Sequence, residues 1–198
     1  MGALMSVVPP EPTWPVPPER GWIADDLDRL PNLPPHTELI DGNLVFVSPQ
    51  SNFHVYAIRL LEFGLVGARP SHLAVLREMT VTLGTRDRPE PDLLVVRREA
   101  VTGDRQTTYR PEDVVLAVEV VSPDSEERDR ELKPRKYAGA GFPHYWRVEN
   151  ESGELVVHVF EREAATGTYM PMGIHRGELE LEQPFPLAID LTDPQRWL

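Results

Sequence analysis

The 198-residue sequence has no cysteine. That excludes disulfides and thiolate metal sites, and it suits a reducing compartment, so a cytoplasmic location is expected. No apolar run approaches the length of a membrane span, and no basic region followed by an apolar block opens the chain, so neither membrane insertion nor secretion is expected. Positive charge is also short: 20 Lys and Arg stand against 32 Asp and Glu, a net charge of −12. Phosphate binding draws most of its affinity from cationic groups, so any contact with nucleic acid must rely on a local basic groove. The histidines His54, His72 and His144 are scattered without ligand spacing, which argues against zinc.

What is present begins with proline. Pro9, Pro10, Pro12, Pro15, Pro17 and Pro18 favour extended, unpacked chain, so residues 1–36 are expected to form a tail with one short amphipathic helix, Trp22 to Leu30. The length suits one domain with a full core, placed at 37–190, with a C-terminal tail over 191–198. Asp41-Gly42, flanked by strand-forming residues between Thr37 and Ser48, predicts a β-hairpin with a tight turn. His54, Ala57, Ile58, Leu61 and Leu65 recur at helical spacing between Ser51 and Val66. Leu73 to Leu76 and Met79 to Leu83 predict short strands, and 97–111 a long charged loop. A helical segment over 125–140 must break or restart at Pro134 and stop at Gly139 and Gly141. Strands are expected at His144 to Glu149, Glu154 to Glu161, Thr168 to His175 and Glu178 to Leu181. This order describes a mixed α/β domain with a partly antiparallel sheet.

The chain is organised around Val114 to Val121, an apolar, β-branched run long enough for one buried strand, with a single acid, Glu119, in its middle. An ionised carboxylate in a core strand is costly unless it is paired or bound to a metal. A second apolar strand, Leu93 to Val96, opens on Pro91-Asp92, and Lys133 returns toward the same region. Two acids on two core strands with a lysine close behind suit a metal-dependent phosphodiester hydrolase.

Glu38-Leu-Ile-Asp-Gly42, Pro91-Asp92, Val118-Glu-Val-Val-Ser-Pro123, Arg128-Asp-Arg130 with Lys133, and Tyr137 to Trp146 occur in this order and spacing. Together they resemble the Uma-two family of restriction-endonuclease-like proteins, within the PD-(D/E)xK nuclease-like superfamily, over roughly Thr37 to Phe160. The resemblance implies a restriction-endonuclease-like mixed β-sheet core flanked by helices, with extra antiparallel strands. It further implies a Mg²⁺ site, with Mn²⁺ as a substitute, and a metal-dependent endonuclease acting on nucleic acid, with DNA the expected polymer. Asp92 then matches the motif aspartate and Glu119 the motif acid. The usual lysine position two residues later holds Val121, and Lys133 on the following helix stands in its place, with Lys136 a second candidate. Asp92, Glu119 and the Val120 carbonyl would hold the metal; Glu38 and His54 match supporting polar positions. Nucleases of this fold often pair, so a homodimer is expected.

Each residue also has a structural reading. Asp92 could cap a strand, Glu119 could sit in a salt bridge, Glu38 could be an exposed hairpin acid, and His54 a boundary residue. Lys133 could be a solvated helix residue with Asp129 as its (i, i+4) partner. Taken singly these readings hold for all but Glu119; the combination favours a site. A non-catalytic binding or regulatory module on a nuclease fold is the alternative function, and a hydrolase of a smaller phosphodiester a third.

Overall fold

The structure, a computed structural model, describes residues 15–193. The prolines before Pro15 and the chain after Asp193 lie outside the described residues, and with them residues 1–14 of the expected N-terminal tail and 194–198 of the C-terminal one.

β1 (Glu38–Ile40) and β2 (Asn43–Val45) form the hairpin. Asp41 and Gly42 at its tip have φ of 51° and 77°, the left-handed pair that a two-residue turn of this hand requires. The segment before it does not form the helix expected over Trp22 to Leu30; only a 3₁₀ turn, Ala24–Asp26, is present. The Trp22 N–H donates to the Gly42 carbonyl and the Ala24 N–H to the Thr85 carbonyl. Those two bonds hold Ile23 extended, at φ −121° and ψ 162°, and Pro31 bars helical continuation further on.

Arg88 anchors this segment from beneath. Its guanidinium binds both oxygens of Asp28 at 2.7 and 3.0 Å, Thr80 Oγ1 at 2.9 Å and the Ala24 carbonyl at 3.3 Å. The arginine is buried, whereas the Asp28 side chain is half exposed. Arg88→Ala is therefore expected to lower stability by about 3 kcal/mol, because it strands buried acceptors. Asp28→Ala should lower it by a smaller amount, about 1–3 kcal/mol, because water reaches the half-exposed carboxylate position but the buried guanidinium loses its charged partner. Urea unfolding midpoints of the two variants check the order.

α1 (Asn52–Ala68) starts at Ser51, whose hydroxyl accepts from the His54 N–H at 3.3 Å, an N-cap bond that satisfies one of the free donors of the first turn. β3 (Leu73–Arg77) follows, then β4 (Thr80–Val81), β5 (Leu93–Arg97) and β6 (Thr108–Tyr109). β4 and β6 pair in parallel, so the expected loop over 97–111 contains a strand. β7 (Val114–Val120) leads through a five-residue π turn, Arg128–Leu132, into α2 (Lys133–Ala140). Pro134 lies in the first turn of α2, and Gly141 ends it at φ 93°. β8 (His144–Glu151), β9 (Glu154–Arg162) and β10 (Tyr169–Arg176) continue the sheet; β11 (Glu178–Leu181) and β12 (Leu187–Asp190) form a separate pair. β12 has no counterpart in the sequence pattern.

The main sheet has the order β10-β9-β8-β7-β5-β3. Every neighbouring pair is antiparallel except β7 and β8. Parallel neighbours need a crossover, and the π turn with α2 is that crossover. Leu116, Val118 and Val120 pack with Ile58, Leu61 and Leu65 of α1, whereas Ala117 packs with Tyr137, Phe142 and Tyr145 on the α2 side. Period-two alternation puts Glu119 on the α2 side as well. β12 closes over α1 at Gly64, where an added Cβ would lie 2.4 Å from Ile189 Cδ1, so only glycine permits this approach. Among the described residues no helix is long and apolar enough to cross a membrane.

Candidate active site at the end of the central strand

The crossover decides the site. A strand buried on both faces cannot leave Glu119 unpaired, and α2 brings Lys133 over it: Nζ lies 3.0 Å from Glu119 Oε2, 2.9 Å from Glu38 Oε1 and 3.5 Å from Asp129 Oδ1. The Tyr137 hydroxyl, one turn further along α2, donates to Glu119 Oε1 at 2.5 Å. Glu119, Glu38, Asp129 and Lys133 are each no more than 5% exposed. Glu38 arrives on β1, and its Oε1 also accepts the Glu90 N–H at 2.8 Å.

Asp92 stands at the entry to β5, beside the end of β7. Its Oδ2 accepts the Val120 N–H at 2.6 Å, and its Oδ1 lies 3.1 Å from His54 Nε2. The N-cap at Ser51 fixes the first turn of α1 and so aims His54 at this carboxylate. Asp92, Glu119, Val120, Lys133, Glu38 and His54 all line one cavity of about 390 Å³, which Arg128, Asp129 and Glu90 also border. These six residues, all expected to belong to the site, therefore meet in one place. Lys136 does not: it binds Asp41 at 2.6 Å and Asp87 at 2.8 Å, tying α2 to the hairpin.

Four carboxylates, those of Glu38, Asp92, Glu119 and Asp129, face one buried ammonium. Burial pulls the Lys133 pKa down, but Glu119, Glu38 and Asp129 outweigh it and hold the ammonium well above its ordinary range. Burial pushes the Glu119 carboxyl well up; Lys133 opposes this, and Asp129, Asp92 and Glu38 add to it. Burial also raises Asp129, against the pull of Lys133. The pocket thus holds more negative charge than its lysine neutralises, and uptake of a proton or cation relieves it. Glu38 Oε2 and His54 Nδ1 are buried without hydrogen-bond partners, which leaves an unused acceptor at Glu38. Among the described residues no three His, Asp or Glu side chains are grouped to enclose an ion alone.

Sequence reasoning missed the roles of Asp129, which it took for the exposed partner of Lys133, and of Tyr137. The signal was present: Asp129, Lys133 and Tyr137 recur every four residues, one face of a helix that the charged composition disguised.

Asp92 at the start of β5 and Glu119 near the end of the adjacent β7, with Lys133 over Glu119, thus form the centre of the site. The family described as "Putative restriction endonuclease" (Uma2) matches residues 24–193, and the chain belongs to it. A crystal structure from Anabaena variabilis ATCC 29413, described as "a putative nuclease belonging to DUF820", shares the fold at a TM-score of 0.63. The two are 15% identical, and the match covers 87% of this chain and 97% of the other. No curated protein matches.

Proposed function

We propose that the chain is a divalent-metal-dependent endonuclease hydrolysing phosphodiester bonds in nucleic acid, with DNA as its substrate. The observation that carries this reading is the buried Lys133 ammonium, shared by Glu38, Glu119 and Asp129 beside Asp92. The donors suit Mg²⁺, a hard cation that takes oxygen ligands and keeps several waters. The chemistry is all carboxylate and carbonyl, the pocket carries excess negative charge, and Glu38 Oε2 has no other partner. Asp92, Glu119 and the Val120 carbonyl would hold Mg²⁺, or Mn²⁺ in its place, which when bound supplies a water of lowered pKa and neutralises phosphate charge. Lys133, fixed by its carboxylates, places a positive charge where negative charge grows in the transition state. His54 orients the Asp92 carboxylate, and Glu38 can accept a hydrogen bond from a water.

One observation favours the second reading, a non-catalytic module: both oxygens of Asp92 and both of Glu119 already have protein donors. Incubation of single- and double-stranded DNA with the protein in Mg²⁺, Mn²⁺ or EDTA separates the two. Metal-dependent cutting, with a metal-induced rise in Tm, is the expected result. No cutting on either substrate and no metal-induced rise would overturn the nuclease and leave the module.

A further inference from the structure

We propose that Arg128 binds a phosphate group of the substrate, on the same wall of the pocket as Lys133; this rests on the nuclease reading above. Lys133 is held by three carboxylates, so it has little capacity left to attract a polyanion into an acidic cavity. Arg128 also lines that cavity. Among the described residues it forms no ion pair and no hydrogen bond through its side chain, and its Nε is buried without a partner. A buried guanidinium nitrogen with no acceptor is costly, and the group offers a planar fork of donors matched to two phosphate oxygens.

The backbone explains why it points there. The Lys133 N–H donates to the Arg128 carbonyl, five residues back. In a regular α-helix residues five apart lie about 140° around the axis from each other. The wider π turn stacks the second close to the first, so both cations face the cavity together with Asp129. Such turns concentrate at functional sites. A phosphate bound between Arg128 and Lys133 would sit within reach of the carboxylates at the end of β7.

Fluorescence anisotropy with a short labelled DNA in EDTA, over a series of salt concentrations, reads binding without cleavage. Arg128→Ala is expected to weaken binding roughly tenfold and to flatten the slope of log K against log salt by about one phosphate's worth, ~0.7–0.9. Arg128→Lys should restore the slope and only part of the affinity, because it keeps the charge and loses the fork. A purely structural arginine would not move the slope. If the wild type cuts DNA while Arg128→Ala matches it in slope, affinity and kcat/KM, the inference falls and the nuclease stands. If the wild type binds DNA with an Arg128-dependent slope but never cuts, the phosphate contact stands and the catalytic reading falls. Neither cutting nor binding by the wild type overturns both.

Discussion

Glu119→Gln is expected to lower cleavage by on the order of 10²–10³-fold, the scale for removing one charge-stabilising group from an active site, while leaving the domain at least as stable. Burial disfavours the Glu119 charge, and Asp129, Asp92 and Glu38 repel it, so a neutral isostere removes a strained charge. Glutamine can accept from Lys133 through its oxygen and donate to the Tyr137 oxygen through its amide, keeping both contacts of the native side chain. Asp92→Asn should act in the same direction, since asparagine still accepts the Val120 N–H that aspartate holds at 2.6 Å. Cleavage rates set beside Tm decide the point. A fall in Tm that tracks the loss of cutting would make both acids structural.

Lys133→Met is expected to destabilise the domain by about 3–5 kcal/mol, the usual effect of removing one partner from a buried charge cluster. For a chain of this size that is a fall in Tm of about 10 °C. Methionine fills most of the volume, so the loss comes from charge: Glu119, Glu38 and Asp129 would lose the one ammonium they share. The pH dependence has a definite sign. Burial already raises Glu119 and Asp129, and Lys133 is the strongest influence lowering each, with a Ser125 hydrogen bond also lowering Asp129. Without Lys133 their folded-state pKa values rise further above the unfolded ones. Stability of that kind is present below the unfolded pKa and disappears as pH rises through the folded one, so the deficit should shrink toward about pH 5. Adding Glu119→Gln should recover part of it, and a double-mutant cycle gives the coupling. A deficit that is unchanged by pH and by the second substitution would place Lys133 outside the charge network.

Much of this was legible because the residues concerned answer to local rules. Asp41-Gly42 can hardly be anything but a hairpin turn, α1 carries its apolar face at regular spacing, and Pro134 required either a break or a helix start, of which the start is observed. Glu119 declared itself as a lone acid in an apolar run. What escaped depended on distant partners. The segment at Trp22 has an apolar pattern, yet hydrogen bonds to Gly42 and Thr85 hold it extended. β6 exists because β4 lies beside it, and β12 because β11 offers an edge. Within the site, Asp129 looked like a surface residue: i, i+4 spacing to a lysine is the same whether the pair faces water or a buried glutamate.

The single parallel pairing in the sheet bears on how the molecule assembles. β8 and β9 are joined by a two-residue turn at Ser152-Gly153 and can zip up locally, whereas β7 meets β8 only after the chain has looped through residues 121–143. Glu38 and Lys133 come together across 95 positions of chain. Contacts of such long range carry a large loop-closure entropy and form late on folding pathways. The charged cluster is thus among the last parts of the native state to close, and refolding protein should recover its secondary structure before it recovers a competent pocket.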